Sequence, residues 1–399
     1  MLIPQSLVFP FILVFFEMAT YLSSDMYLPA LPTVMDVFQI THAQAQATLT
    51  VWFLGAISVQ LILGPLSDRY GRKGVLCLGS VLFMLSTLVC TLASHISILL
   101  LGRFIQGSGI CFMAVPGYAS IHELFDQKQA IRIIALMASV SVLAPALGPL
   151  LGSVLLLTFN WRWIFGFLTL WALIAVILLI LWMPETLPIE KRHLLNIKKI
   201  INAYWRLLTH ARFMTIMTIY GFLICGFLTW IAAGPFLIID QFHYSPIWFG
   251  VFQGLIFIAF IFGNQGVKLL IDHQPLWKII KIGLWICLLA SLMSLILSII
   301  FPKLVWIIVL GYTAYAFGAA LACAPLNRLA VEATEELMGA RMAIFSMLIS
   351  SFAALGSVLV SIFYNGSLVS LASMIFCISG VSWMVVYWSS LEYTSSACH

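Results

Sequence analysis

Three polar side chains stand in the first long apolar segment of the chain: Glu17, Tyr21 and Asp25. On a helix, the eight residues from Glu17 to Asp25 give a rise of about 12 Å and a rotation of about 80°, so the three side chains form one slanted polar stripe. A charge near the centre of a bilayer costs on the order of 3 kcal/mol, and ionisable residues inside a span are commonly functional. The stripe therefore predicts carboxyl groups that face a water-filled cavity and gain and lose protons.

The composition of the chain indicates that this stripe lies on one of several membrane-spanning helices. Of the 399 residues, 63% are hydrophobic and 8% are charged, whereas soluble domains carry about 25% charged residues. Apolar runs of about 20 residues recur from end to end, without the alternation of barrel strands. The sequence predicts an all-α membrane protein of twelve transmembrane helices. The predicted spans are roughly 8–34, 43–66, 75–94, 97–121, 131–158, 162–183, 211–239, 246–271, 276–300, 303–331, 338–364 and 367–390.

A polar interval from Glu185 to His210 divides the spans into six and six. This predicts an N-terminal six-helix bundle at 1–184, a cytoplasmic linker at 185–210 and a C-terminal six-helix bundle at 211–399. If both termini are cytoplasmic, the inner loops hold fifteen Lys and Arg residues and the outer loops hold two. Cytoplasmic loops carry such an excess, so both termini are expected in the cytoplasm.

The loop after the second predicted span reads GPLSDRYGRK over residues 64–73. Asp68 stands at a helix end before a basic turn, and Gly71 allows a tight reversal of the chain. The alternative to a functional role is a basic cytoplasmic turn and nothing more.

Arg103 lies within the fourth predicted span, in the stretch RFIQGSG of residues 103–109. A lone Arg in a span commonly faces the protein interior or water and finds a partner there. We favour that position over the alternative, in which the side chain snorkels to the outer interface only a few residues away.

The fifth predicted span contains APALGPLLG over residues 144–152. Two prolines and two glycines in the middle of a helix indicate a kink and close packing against a neighbouring helix. Such packing alone is the alternative to a functional role.

Arg328 lies in the tenth predicted span, in the part of the second half that corresponds to the span of Arg103. It is either a second cavity cation or an inner gate residue, or else an interfacial Arg. The glutamates at 332, 335 and 336 follow within two turns and could pair with it. The sequence leaves both interpretations open.

Together, these motifs resemble those of the major facilitator superfamily. The loop at 64–73, the RxxQGxG of span four and the GPxxG of span five are its motifs, and the last is typical of antiporters and generally missing from symporters. The run EMATYLSSDM at 17–26 is similar to that of a multidrug exporter of the superfamily. The run DMYLPALP at 25–32 is similar to the bicyclomycin/chloramphenicol-resistance subfamily. The resemblance covers the whole chain, more strongly its first half.

The resemblance implies a drug:proton antiporter of the bacterial inner membrane that expels small lipophilic molecules, antibiotics included, by alternating access. The proton-coupling residues that it implies are Glu17, Asp25 and Arg103. The substrate-binding residues are Glu17, Tyr21, Asp25, Met26, Met137, Ser141, Pro145, Ile231 and Pro235. The gating residues, some of which help to latch the cytoplasmic side shut, are Gly64, Asp68, Arg69, Gly71, Arg72, Gly148, Pro149, Gly152 and Arg328. Serines at pocket-side positions, such as Ser24 and Ser139, leave the substrate range open.

Other classes of protein are disfavoured by what the sequence lacks. It has no nucleophile constellation and no phosphate-binding loop, which argues against an enzyme and an ATP-driven pump. It has no metal-ligand spacing and no basic face for nucleic acid. We expect no cofactor, with the proton gradient as the coupling ion, and a monomer whose partners are a small-molecule substrate, protons and the lipid bilayer.

Three rival functions stay open from the sequence. The first is a dedicated exporter of one endogenous metabolite, such as a siderophore, on the same fold. The second is a membrane receptor or scaffold that has lost transport, against which the intramembrane acids argue. The third is an inward proton symporter, which the glycines of span five disfavour.

Overall fold

The computed structural model describes residues 8–192, 197–336 and 338–388, apart from several side chains between residues 127 and 142 and those of residues 191, 197 and 199. In these ranges the chain forms helices and no β-strand. The α-helices are α1 (Val8–Asp25), α2 (Leu31–Phe38), α3 (His42–Tyr70), α4 (Arg72–Thr91), α5 (Ile96–Leu124), α6 (Gln127–Thr158), α7 (Arg162–Trp182), α8 (Ile197–Thr209), α9 (Ala211–Pro235), α10 (Pro246–Leu270), α11 (Leu276–Ile300), α12 (Trp306–Glu332), α13 (Met338–Phe363) and α14 (Leu368–Trp388).

Eleven segments of the described chain are long and apolar enough to cross a membrane. One is Val8–Phe38, in which a 3-10 turn at Leu28–Ala30 joins α1 to α2. Another is Ala211–Gln241, in which α9 continues into a π-helical turn. Within α6, the apolar stretch Leu143–Thr158 is shorter. The all-helical membrane-spanning class is therefore confirmed, whereas the count of twelve spans and the side of the termini stay predictions.

The chain divides into two compact units, Met1–Ile197 and Lys198–His399. In the first unit, α5 packs against α3 and α4, α7 packs against α4 and α1, and α6 packs on α1. In the second unit, α12 packs against α10 and α11, α14 packs against α11 and α9, and α13 packs on α9. Each of these helix pairs has a counterpart in the other unit, as is typical of transporters built from two parallel repeats.

Glycines let helix backbones touch inside each unit. A Cβ atom on Gly107 of α5 would overlap the carbonyl oxygen of Trp52 on α3. A Cβ atom on Gly263 of α10 would lie 2.5 Å from the carbonyl oxygen of Phe317 on α12. Lipid gives apolar side chains little reason to associate, so helices in membranes are held together by close packing of this kind. The packing fixes the helices on which the polar side chains stand.

Prolines decide where the first helix ends. Pro29 has no N–H to donate to the carbonyl of Asp25 four residues earlier, so the α-helical ladder cannot continue through it. The helix accordingly ends at Asp25, and the 3-10 turn follows. This local constraint places the Asp25 side chain at the C-terminal end of α1.

Candidate functional site

Glu17 lies on α1 with a fully buried side chain. Its Oε1 accepts a hydrogen bond from the hydroxyl of Tyr118 on α5 at 3.2 Å. Its Oε2 is buried and has no hydrogen-bond partner among the described residues. Because an unpartnered carboxylate oxygen is costly in an apolar interior, Oε2 is the atom at which a proton or a polar group of a ligand can be taken up.

Asp25, at the end of α1, is buried and is packed directly against α6. A Cβ atom on Gly148 would lie 2.5 Å from the Cβ of Asp25. A Cβ atom on Gly152, one turn later, would overlap the carbonyl oxygen of Met26. The two glycines predicted to allow close helix packing therefore do so at the carboxyl group of the stripe.

The polar stripe is largely buried. Glu17 and Asp25 are both buried, and Tyr21, between them, is half-buried. The water-filled cavity that we expect beside the stripe stays a prediction.

The other predicted substrate-binding residues of the first unit lie on α6 or, in the case of Met26, directly after α1, and these two helices pack together. Met26 is buried, and Met137 is buried in the apolar core formed by α1 and its neighbours. Pro145 is half-buried on α6. Ser141 lies on the same helix, but its side chain is outside the described part of the structure.

Arg103 is fully buried on α5 and does not snorkel to the interface. Its Nη1 donates to the carbonyl oxygen of Ser23 on α1 at 2.7 Å and to Oε1 of Gln106 at 2.6 Å. The guanidinium carbon lies 5.0 Å from the ring centroid of Tyr27 and 5.9 Å from that of Trp52. Carbonyl dipoles and aromatic faces both attract a cation, and they stabilise this buried charge.

Gln106 connects Arg103 to a third helix. While its Oε1 accepts from Arg103, its Nε2 donates to Oγ1 of Thr87 on α4 at 2.9 Å. Gln106 and Thr87 are both fully buried. The motif glutamine thus holds the guanidinium in one orientation between α1, α4 and α5.

The motif loop forms an ionic cluster around the buried Arg72. Its guanidinium pairs with Asp68 at 2.6 Å and with Glu123 of α5 at 3.1 Å, and it donates to the hydroxyl of Ser67 at 2.8 Å. Gly71 adopts a φ of 93°, which a side chain disfavours, and a Cβ there would meet Glu185. The cluster joins the ends of α3, α4 and α5.

The segment after α7 also belongs to this cluster. The backbone N–H of Arg72 donates to Oε1 of Glu185 at 2.9 Å, and Oε2 of Glu185 pairs with Arg192 at 3.3 Å. Thr186 donates its hydroxyl to Oε2 of Glu123. No role beyond the linker was predicted for Glu185 or Arg192, because Arg72, the partner of Glu185, lies 113 residues away in the chain.

Three of the predicted gating residues do not take part in the ionic cluster around Arg72. A Cβ on Gly64 would meet no atom within 4 Å. Arg69 stacks over the ring of Tyr70 at 5.2 Å. Pro149 is buried on α6 between the two packing glycines. Of the predicted loop residues, the structure therefore brings together Asp68, Gly71 and Arg72.

In the second unit, Arg328 is exposed and its Nε contacts Oε1 of Glu332 at 2.9 Å. This is the pairing that the interfacial interpretation predicts, and a gating role stays a prediction.

The two predicted substrate-binding residues of the second unit, Ile231 and Pro235, are both buried on α9. Pro235 ends that helix before the π-helical turn Phe236–Gln241.

Tyr118 is a residue of the site for which no role was predicted from the sequence. A signal for it was present, because Tyr118 follows Arg103 by 15 residues, about four helical turns, and so lies near the same face of α5. What the spacing could not provide is the partner on α1.

Sequence comparisons place these features among known transporters. Residues 13–357 match the sequence profile of the Major Facilitator Superfamily. The chain is 32% identical over 357 residues to the chloramphenicol resistance protein CraA of Acinetobacter baumannii, covering 88% of this chain and 84% of CraA. It is 34% identical over 344 residues to the multidrug transporter MdfA of Escherichia coli O157:H7, covering 86% of this chain and 84% of MdfA.

Comparison with solved structures supports the fold. A POT family transporter in complex with 5-aminolevulinic acid aligns with a TM-score of 0.74 at 13% identity, covering 94% of this chain and 95% of the other. The human organic anion transporter MFSD10 aligns with a TM-score of 0.66 at 19% identity, covering 97% and 99%. At such low identity, the likeness concerns the fold alone.

Proposed function

Because the chain belongs to the Major Facilitator Superfamily, we propose that it exports small lipophilic molecules, drugs among them, in exchange for protons. The eleven apolar segments found among its described residues and its bacterial relatives make it a multi-pass protein of the bacterial inner membrane. Two of those relatives carry the names multidrug transporter and chloramphenicol resistance protein. We infer the same kind of substrate for this chain.

The observation that carries the proposal is the buried carboxyl group of Glu17 with one unpartnered oxygen. A second buried carboxyl group, Asp25, stands on the same helix. A scaffold or receptor gains nothing from two buried acids on one span, because each is costly to keep there. A proton-coupled transporter needs such groups, since they must change charge during its cycle.

In the proposed cycle, Glu17 and Asp25 take up protons from outside. A substrate that arrives from the cytoplasm or the inner leaflet then displaces them to the inside, by alternating access. Arg103 supports the proton transfer as a fixed cation, and Arg72 with Asp68 helps to latch the cytoplasmic side. The cycle requires no cofactor and runs in a monomer, and the protein is a transporter rather than an enzyme.

The finer architecture belongs to the same proposal. It comprises twelve spans with both termini in the cytoplasm. Two six-helix bundles, residues 1–184 and 211–399, are joined by a cytoplasmic linker at 185–210. The repetition of helix pairs in the two units supports this arrangement.

The proton gradient supplies enough free energy for such export. Each inward proton is worth about 2.3 kcal/mol per 100 mV and about 1.4 kcal/mol per pH unit. A sum of about 3.7 kcal/mol supports a gradient of several hundred-fold for a neutral substrate. If one monovalent cation leaves for one proton, the voltage contribution cancels and only the pH contribution remains. Two coupling acids help with cations only if both release their protons.

Substrate-induced proton release tests the proposal. Detergent-purified wild-type protein at neutral pH should release protons when either chloramphenicol or tetraphenylphosphonium is added. Glu17→Gln and Asp25→Asn should each abolish or strongly reduce the signal, whereas Glu190→Gln, at an exposed position, should behave like the wild type. Wild-type release from both variants at every pH would refute proton coupling through these acids. Silence of the wild type with both ligands would instead favour a dedicated metabolite exporter.

A further inference from the structure

A buried polar group of the second unit has no role in the site described above. The indole N–H of Trp230 on α9 donates to Oε1 of Gln253 on α10 at 2.6 Å. Because an indole can only donate, the amide oxygen must be the atom that faces it, which leaves the amide NH2 group as a donor. Nε2 of Gln253 is buried without a hydrogen-bond partner among the described residues.

Aromatic rings surround this amide. Phe249 and Phe257 stand one turn before and one turn after Gln253 on α10, and both are buried. The ring of Phe249 lies 6.2 Å from that of Trp230, and the ring of Phe257 lies 5.0 Å from that of Phe227. Two aromatic pairs thus join α9 to α10 above and below the amide. We call these four rings the aromatic cage.

The neighbouring hydroxyl groups are already engaged. Tyr312, whose ring lies 5.3 Å from that of Trp230, shares a hydrogen bond of 2.7 Å with Thr229. Tyr315 donates its hydroxyl to the carbonyl oxygen of Leu223 at 3.0 Å. Neither hydroxyl accepts a hydrogen bond from the Gln253 amide, whose NH2 group has no acceptor among the described residues. A buried donor without an acceptor is costly. A ligand that binds and dissociates would supply the acceptor.

One edge of the aromatic cage is less sealed than the rest. Phe227, Ile231 and Phe257 keep between 6% and 9% of their surface exposed, whereas Trp230, Phe249 and Gln253 keep none. Ile231 is a predicted substrate-binding residue and follows Trp230 directly. The edge therefore offers a way for a flat molecule to reach the amide when the helices loosen.

We propose that the amide NH2 of Gln253 donates a hydrogen bond to an acceptor oxygen of the transported molecule, while the aromatic cage covers its flat apolar part. Aromatic linings with a few placed polar groups are typical of drug-sized sites. The inference rests on the proposed function and adds a rule of selection to it. Neutral substrates with a carbonyl or nitro oxygen are held by Gln253, whereas a cation without an acceptor binds independently of it.

Binding measurements on two ligands test the rule. Chloramphenicol is neutral and carries carbonyl and nitro oxygens, whereas tetraphenylphosphonium has no hydrogen-bond acceptor. Gln253→Met should weaken chloramphenicol binding about five- to ten-fold, the effect of one hydrogen bond. It should leave tetraphenylphosphonium binding within two-fold, which also shows that the variant is folded. Gln265→Met, the same change at an exposed position of α10, should alter neither affinity.

The same substitution made in a Trp230→Phe variant separates two roles of Gln253: binding the substrate and positioning Trp230. In Trp230→Phe, the indole donor is absent and Gln253 has no bond to keep. If the amide binds substrate, adding Gln253→Met to Trp230→Phe should still weaken chloramphenicol binding by a similar factor. If Gln253 only positions Trp230, the second substitution should have no further effect, and the proposal is then wrong.

Three other results would each overturn the proposed role of Gln253. Equal loss of both ligands in Gln253→Met would overturn the rule of selection. Unchanged chloramphenicol affinity would show that the amide is satisfied by a buried water or by a ring face. In both of these cases the wild type still binds drugs, so that the proposed function survives. Failure of the wild type to bind either ligand would overturn both.

Discussion

Tyr118 and Glu17 meet at 3.2 Å although 101 residues separate them in the chain. The bond joins α5 to α1, and α5 also carries the buried Arg103, whose guanidinium is bound to the Ser23 carbonyl of α1. Two polar contacts therefore connect the same pair of helices, one near the middle of α1 and one near its end. A shift of α5 along α1 would break both contacts together.

Removal of the Tyr118 hydroxyl should uncouple Glu17 from α5. In Tyr118→Phe, Oε1 of Glu17 loses the hydrogen bond from Tyr118, and a hydrogen bond to a charged group is worth about 1.5–3 kcal/mol. We expect substrate-induced proton release to slow by about ten-fold or more, measured with a pH-sensitive dye. Tyr70→Phe, at an exposed position, is the control and should release protons at the wild-type rate. Wild-type rates in Tyr118→Phe would contradict a role for the bond.

Side chains at the packing glycines of α6 should destabilise the protein. In Gly152→Ala, the new Cβ would overlap the Met26 carbonyl oxygen. Overpacking costs about 1–3 kcal/mol, which outweighs the gain of about 1 kcal/mol from the better helix former. We expect a lower unfolding temperature and a weaker Asp25-dependent signal, measured by thermal denaturation and by proton release.

Gly64→Ala serves as the matched control for this substitution. Its Cβ would meet no atom within 4 Å, so only the gain in helix propensity remains, and the unfolding temperature should be equal or higher. If Gly64→Ala and Gly152→Ala behaved alike, the close approach of α6 to α1 would not matter for stability.

Arg72 and Glu123 should act as one unit. Lys cannot reproduce the forked contacts of Arg72 to Asp68, Ser67 and Glu123, so Arg72→Lys should lower transport by about ten-fold. Glu123→Gln should lower it by a similar factor, because it removes the charge that faces the guanidinium. In a double-mutant cycle, the combined variant should be little worse than either single one. Additive losses would show that the two residues work separately.

The ion pair between Arg206 and Glu336 should hold helix α8 to the loop after α12 over the whole physiological pH range. Both groups lie outside the apolar spans. Hydrogen bonding from Arg206, together with its charge, holds the pKa of Glu336 below its usual range. A lowered pKa means that the contact is fully present above the ordinary Glu value, about 4.3, and is lost only as pH falls through the lowered one.

A spin label at Asn202 of α8 would report this contact. Its mobility should be constant from about pH 8 down to the ordinary pKa of Glu, about 4.3, and should rise only at lower pH. Glu336→Gln should raise the mobility at neutral pH, and high salt should do so in part, because exposed pairs are screened. Glu335→Gln, at the exposed neighbouring position, is the control. A transition near neutral pH would contradict the assignment.

The sequence predicted the helices well because long apolar runs and prolines act locally. The predicted first span at 8–34 corresponds to Val8–Phe38 in the structure. Asp68, which the sequence places at a helix end before a basic turn, pairs with Arg72 of that turn. The partners Tyr118, Glu123 and Glu185 could not be assigned in the same way, since contacts between distant helices depend on packing. The unpartnered amide of Gln253 was likewise invisible to spacing.

Arg103 is stabilised by carbonyl oxygens and aromatic rings, and these groups neither gain nor lose protons at physiological pH. In the site, Arg103 therefore contributes a permanent positive charge, whereas Glu17 and Asp25 change charge in the proposed cycle. As Glu17 and Asp25 take up protons, the net charge of the trio passes from −1 through zero to +1. The membrane voltage acts with opposite sign on the empty and the fully loaded forms, so voltage jumps on oriented protein would produce transient currents of opposite polarity for these two forms.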